Sequence, residues 1–183
     1  MNVIKTKIED VLIIEPKVFG DERGFFVETF NLERYKETGI DWEFVQDNLS
    51  SSMKGVLRGL HFQKDPFAQG KLVQVIKGKV LDVAVDIRKN SSTFGQYISV
   101  ELSGENKKQL WIAPGMAHGF LALENDTIFS YKCTNLYNPT AEGGLLWNDK
   151  DLNIDWKLEE NGIKDPIVSE KDAKNVSWQE FVG

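Results

Sequence analysis

"KLVQVIKGKVLDVAVDIR", residues 71–88, carries the plainest structural signal in the chain. Valine, leucine and isoleucine recur at every second position over much of it, the period of a β-strand with two unlike faces. Lys77-Gly78-Lys79 separates two β-rich runs, and this reads as a hairpin. In the second run Leu81, Val83, Val85 and Ile87 share one face, and Asp82, Ala84, Asp86 and Arg88 share the other. One face is expected to pack on a core and the other to look at water or a cavity.

The same texture extends in both directions. "VLIIEPKVF" (11–19), "GFFVETF" (24–30) and "WEFVQDN" (42–48) are strand-like. So are "FGQYISVEL" (94–102), "QLWIAPG" (109–115), "GFLALE" (119–124) and "DTIFSYKCTNLY" (126–137). Helix signals are few. "NLERYKETG" (31–39) has Asn31 as N-cap and Gly39 as a stop, and "SEKDAKNVSWQEF" (169–181) places Ser169 and Asp172 at capping-box spacing. Many short strands without repeats, low-complexity segments or linkers suggest a sandwich or a barrel. The 183 residues suffice for one domain, 1–183, with a sizeable core.

Composition excludes several function classes. Apolar residues make up 41% and charged residues 27%, as in an ordinary globular protein. The first residues, "MNVIKTKIED", lack the apolar stretch of a signal peptide, and "VLII" is far too short to cross a bilayer. A single cysteine, Cys133, excludes an internal disulfide framework and suits a reducing compartment, so a cytoplasmic protein without membrane contact is expected. The net charge of −6 argues against a nucleic-acid surface. A small anionic ligand remains compatible, provided local arginines and lysines meet it.

Only two histidines are present. His61 lies in "RGLHFQ" (58–63), three residues after Arg58, and His118 lies in "APGMAHGF" (113–120). Taken alone, each is equally well a strand-end residue with a satisfied hydrogen bond. The spacing Pro114-Gly115-x-x-His118 resembles the second motif of cupins, which are jelly-roll barrels with an internal cavity. Metal-binding cupins add two histidines and a glutamate in the first motif. "GLHFQ" has one histidine and no nearby glutamate, so no metal site is expected.

Longer motifs narrow the resemblance. "FVQDNLSSSMKGVLRGLHFQ", "QGKLVQVIKGKVLDVAVDIRKNS", "PGMAHGFLAL", "YKCTNLYNPTAEGG", "WND" and "SEKD" occur in that order. Together with "PKVFGDERGFFVETF" near the start they resemble the nucleotide-sugar 3,5-epimerases that make dTDP-L-rhamnose precursors. The resemblance implies an all-β, cupin-type jelly-roll barrel with short peripheral helices. It implies inversion of C3 and C5 in dTDP-4-dehydro-6-deoxy-D-glucose, with no metal or organic cofactor. Both carbons lie α to the C4 carbonyl. A base therefore removes a proton, an enolate forms, and an acid returns a proton to the other face.

The resemblance also assigns roles. His61 is the base, a residue type whose imidazole can be neutral yet basic near neutral pH. Asp172 is its carboxylate partner, the alternative being a helix cap. Lys71 is the cation for the enolate oxygen, the alternative being a solvated strand-end lysine. Tyr131 is the proton donor, with Tyr137 at the same strand parity stacking on the base, the alternative being a pair of core tyrosines. Arg23, Arg58 and Lys171 are expected to hold the diphosphate. Glu28 is expected to accept the N3–H of thymine. Gln46, Asn48, His118, Glu142, Phe19 and Phe26 complete the substrate-binding set. Strict alternation sets Arg58 and His61 on opposite faces, so both reach one pocket only if the strand is irregular, and Gly59 is the candidate bulge. Met116 and Gln74 stand where the family commonly has phenylalanine and arginine, a difference expected to retune the pocket. A homodimer is expected, with the hairpin around residues 19–30 crossing to the partner. A 3-only or 5-only epimerase, a metal-dependent cupin enzyme and a non-catalytic sugar-binding module are the competing readings.

Overall fold

Gly78 does not close a hairpin. In the computed structural model, which describes residues 1–183, the runs on either side of it enter different sheets. Strands β1 (Asn2–Lys5) and β2 (Val11–Glu15) come first, then a separate hairpin of β3 (Val18–Asp21) and β4 (Gly24–Val27), then helix α1 (Leu32–Lys36). Next come β5 (Gln46–Ser52), β6 (Val56–Gln63), β7 (Lys71–Lys77), β8 (Lys79–Asp86), β9 (Tyr97–Ser103), β10 (Gln109–Ile112), β11 (Met116–Ala122) and β12 (Thr127–Cys133). The short β13 (Glu142–Gly144) and β14 (Ile167–Val168), a 3₁₀ turn at Asp172–Lys174 and α2 (Trp178–Val182) finish the chain.

The first sheet has the order β1-β2-β10-β7-β12-β5 and the second β13-β6-β11-β8-β9, with β14 also beside β6. From β5 to β12 the chain changes sheet at almost every step, and only β8 and β9 stay together as sequential partners. This is a jelly roll. At Gly78 the backbone has φ +80°, and a Cβ there would lie 2.9 Å from the Cα of Thr127. The corner therefore needs glycine as much as a hairpin turn would.

Three apolar clusters hold the layers. Val11, Val73, Val75, Val80, Ala84, Leu110, Phe120 and Phe129 meet between the sheets. The outer face of the second sheet, including Leu81, Val83 and Val85, is covered by Leu145, Leu152, Trp156 and Ile163 from the C-terminal segment. The alternation read in 79–86 is thus real, and its polar face looks inward. Outside the first sheet, Leu72 and Trp111 pack with Tyr35 of α1. Five residues are too few for a stable isolated helix. Buried Tyr35, bonded to Gln109 at 2.6 Å, anchors it, and the Asn31 side chain caps it as expected.

Some boundaries differ from the sequence reading. Pro16 splits 11–19 into two strands that join different sheets. "WEFVQDN" becomes strand only at Gln46, because Trp42 and Phe44 turn onto Trp111. The capping box lies at Ser177 and Glu180. Ser169 Oγ does accept from the Asp172 N–H, but the Asp172 carboxylate is engaged elsewhere.

Candidate active site

Alternation decides which side chains enter the barrel. On β7, Val73 and Val75 point inward and Leu72 outward, so Lys71 points inward too. On β12, Phe129 is in the inner cluster, and Tyr131, two residues on, packs beside it. Across the barrel, β11 sends Met116, His118 and Phe120 inward. On β6, Leu57, Leu60 and Phe62 all face out, which regular alternation forbids. Between the pairs His118–His61 and Phe120–Arg58, β11 spends two steps and β6 three. This is a bulge, centred on Gly59 at φ +126°, and it turns both Arg58 and His61 inward as the sequence required. A Cβ on Gly59 would meet the His118 carbonyl oxygen at 2.8 Å.

The result is a cavity of about 490 Å³ lined by Arg58, His61, Lys71, His118, Tyr131, Lys171 and Asp172, among others. His61 and His118 lie on the second sheet, Lys71 and Tyr131 on the first. His61 Nε2 is 2.6 Å from Asp172 Oδ1, while Oδ2 accepts the Gly59 N–H at 3.1 Å. Burial alone would raise the Asp172 pKa. The bonds from His61, Gly59 and Ser169 outweigh it and hold the carboxyl below its ordinary value. Asp172 is therefore not a helix cap. His118 Nε2 lies 3.0 Å from both oxygens of buried Asp82. Burial pulls the His118 pKa down despite that carboxylate. Burial also lowers the Lys71 pKa and raises that of Tyr131, the latter with help from Cys133 and against Arg58. A raised phenol stays protonated at neutral pH. No three His, Cys, Asp or Glu side chains converge as a metal-ligand set.

A second recess of about 250 Å³ shares His61, Lys71 and Tyr131 with this cavity. Gln46, Asn48, Tyr137 and Glu142 line it. Tyr137 does not arrive by strand parity, because β12 stops at Cys133. Instead its N–H is held by Gln46 Oε1 at 2.8 Å, and Gln63 holds the carbonyl of Leu136 and the N–H of Asn138. The Tyr137 hydroxyl donates to Glu142 at 2.8 Å, and Lys171 reaches the same carboxylate at 2.6 Å. Burial would raise Glu142, but these two partners leave its pKa lowered.

Four expected residues are elsewhere. Arg23 is exposed and pairs with Asp21, and Glu28 accepts from Arg34 at 2.8 Å. Phe19, Arg23 and Phe26 border a shallow depression on the β3–β4 hairpin, and none of the four lines the cavity of its own chain. Gln74 and Met116 do not line it either. Gln74 accepts from Gln109 on the outer face, and Met116 is in the inner apolar cluster. Sequence reasoning passed over Asp82, the partner of His118, and Ser52, whose Oγ accepts from Arg58 Nε at 3.2 Å. The signal for Ser52 was available, since Gln46, Asn48, Ser50 and Ser52 alternate along β5.

Comparison with known proteins identifies the family. The family model for dTDP-4-dehydrorhamnose 3,5-epimerase matches residues 5–180. A dTDP-4-dehydrorhamnose 3,5-epimerase of Shigella flexneri is 56% identical over 183 residues, covering 100% of this chain and 97% of the relative. The crystal structure of the Legionella pneumophila dTDP-6-deoxy-D-glucose-3,5-epimerase, in complex with dTDP-4-keto-L-rhamnose, superposes with a TM-score of 0.91 at 52% identity, covering 96% of this chain and 92% of that one. That of the Elizabethkingia anophelis dTDP-4-dehydrorhamnose 3,5-epimerase also gives 0.91, at 50% identity, covering 98% and 97%. With a family match over nearly its whole length and relatives above half identity, the chain belongs to the dTDP-4-dehydrorhamnose 3,5-epimerase family.

Proposed function

We propose that this protein, acting as one domain, epimerises dTDP-4-dehydro-6-deoxy-D-glucose at C3 and C5 to dTDP-4-dehydro-L-rhamnose. The observation that carries the reading is the opposition of His61 and Tyr131, on facing sheets of one cavity with Lys71 beside them. Inversion requires a proton to leave one face of a carbon and another to arrive on the opposite face. His61, with Nε2 tied to Asp172, takes the proton from the carbon α to the carbonyl, and the electron pair moves onto the C4 oxygen. Lys71 faces that oxygen, and a positive charge fixed there favours the developing anion strongly. Tyr131 then gives its hydroxyl proton to the far face and is reprotonated from solvent. No cofactor enters these steps.

Arg58 and Lys171 hold the diphosphate in this reading, and Gln46, Asn48, His118, Tyr137 and Glu142 bound the remainder of the substrate. Arg23, Glu28, Phe19 and Phe26 serve a neighbouring copy in a homodimer. Phe19, Phe25 and Phe26 are 53%, 61% and 67% exposed on a two-stranded hairpin that joins neither sheet. Such a hairpin is marginal alone, and its exposed aromatic rings suit a second subunit.

The test is proton NMR of the dTDP-4-keto sugar with the protein in heavy water. Deuterium entry with inversion at both carbons is expected. Change at C3 or C5 alone indicates a mono-epimerase, and no exchange at either carbon refutes the enzymatic reading.

A further inference from the structure

Strand β5 turns four polar side chains, Gln46, Asn48, Ser50 and Ser52, toward the barrel interior. Three of them are engaged. Gln46 donates to Asn48 at 3.2 Å, Asn48 donates to Cys133 Sγ at 3.6 Å, and Ser52 accepts from Arg58. Ser50 is different. Its Oγ is the one buried side-chain oxygen or nitrogen in the protein with no protein partner, and the residue lines the catalytic cavity. A buried hydroxyl left unpaired is costly, and an unpaired group in a functional cavity requires a reason.

We propose that Ser50 is a substrate-contact residue whose hydroxyl donates to the sugar-proximal phosphate of the nucleoside diphosphate sugar. This rests on the epimerase reading and extends it. In the β5–β12 register Asn48 stands opposite Tyr131, Ser50 opposite Phe129 and Ser52 opposite Thr127. Ser50 is therefore one inward step, about 7 Å, from the residue level with the proton donor, and one step from the residue that holds Arg58. Arg58 is fixed on this strand by two bonds, to Ser52 Oγ and to the Ser51 carbonyl, each 3.2 Å. In a sugar nucleotide, the group between the reacting ring and the rest of the diphosphate is the phosphate that bears the sugar. In the rotamer observed, Oγ is shielded, but the residue is only half-buried. A turn about χ1 between staggered wells carries the hydroxyl into the cavity.

The experiment is calorimetric binding of dTDP and dTMP to wild type and Ser50→Ala, with thermal melts of both. Loss of a hydrogen bond to a charged phosphate should weaken dTDP binding roughly 10- to 100-fold. Binding of dTMP, which lacks the second phosphate, should be unchanged. The melting temperature should not fall, because no bond within the protein is lost. Equal dTDP affinity in the two proteins overturns the proposal, as does an equal loss for dTMP. A marked drop in melting temperature also overturns it, since it would give Oγ a structural partner. Failure of the wild type itself to bind dTDP would instead strike the underlying epimerase reading.

Discussion

Replacing Asp172 by asparagine removes one charge and almost no volume, so the variant separates the electrostatics of the His61 pair from its packing. The carboxylate accepts from two sides, from His61 Nε2 at 2.6 Å and from the Gly59 N–H at 3.1 Å. Asparagine has one oxygen. If the Gly59 N–H takes it, the amide NH₂ faces the imidazole, and Nε2 must become the acceptor. The ring proton then moves to Nδ1, the nitrogen that is free to act as base when Nε2 donates to Asp172. The electrostatic loss adds to this. Two unit charges about 4 Å apart attract by about 4 kcal/mol at an effective dielectric constant near 20. The His61 side chain is 33% exposed, and the imidazolium is only partly formed in the transition state, so roughly half is the realistic share. Roughly 2 kcal/mol corresponds to about 30-fold in rate, and the tautomer error carries the total beyond about 10². The assay is kcat/KM from NMR progress curves, with dTDP affinity and melting temperature measured alongside. Asp172→Asn retaining more than a tenth of wild-type kcat/KM would refute the dyad.

The same geometry sets other outcomes. Tyr131→Phe keeps the ring, so it should still exchange deuterium into the sugar while inversion falls by roughly 10² to 10⁴; wild-type inversion in NMR would move the acid elsewhere, first to Tyr137. Mixing His61→Ala with Arg23→Ala subunits should restore about a quarter of wild-type activity if hairpins cross between subunits, since half the dimers are mixed and one site in each is intact; no recovery after confirmed subunit exchange places the hairpin in its own chain's service. Exhaustive chelation should leave turnover unchanged, and loss restored by one divalent ion would reinstate a metal-dependent reading. For Asp86, burial alone would raise the pKa, but bonds from Arg88, Ser91 and Thr93 set it at about 2 against an ordinary 3.8. The folded value is the lower one, so its contribution, at most roughly 2 kcal/mol, is complete above the unfolded pKa and is lost as pH falls through the folded one. Acid melts of Asp86→Asn should therefore flatten in that window relative to wild type.

What the sequence made legible was whatever depends on period 2. The faces of 79–86, the inward set on β12 as far as Cys133 and the need for an irregularity at Gly59 all come from alternation. Lys-Gly-Lys at 77–79 misled because a sheet-to-sheet corner and a hairpin turn ask the same left-handed glycine of the chain. Tyr137 was placed by parity but reached its recess through glutamine side chains from two other strands. The pairing of His61 with Asp172 spans 111 residues and has no local signature. It came only from resemblance, with the capping reading of Asp172 equally open to local chemistry. Asp82 was seen as a polar-face residue, yet nothing nearby in sequence announced His118 as its partner.

The late position of Asp172 bears on the birth of the protein. Strands β1 to β12 are complete by Cys133 and β14 ends at Val168, so every strand of the two sheets precedes the carboxylate in the chain. Domains tend to fold during synthesis as their residues emerge, and topologies rich in distant pairings do so slowly. His61 therefore gains its carboxylate only when the segment after Val168 has been made and lays the Asp172 turn against the Gly59 bulge. Chains truncated between Val168 and Asp172 keep every strand of both sheets but lose the dyad. In the proposed reaction, turnover thus depends on a turn that is made only after the strands of both sheets.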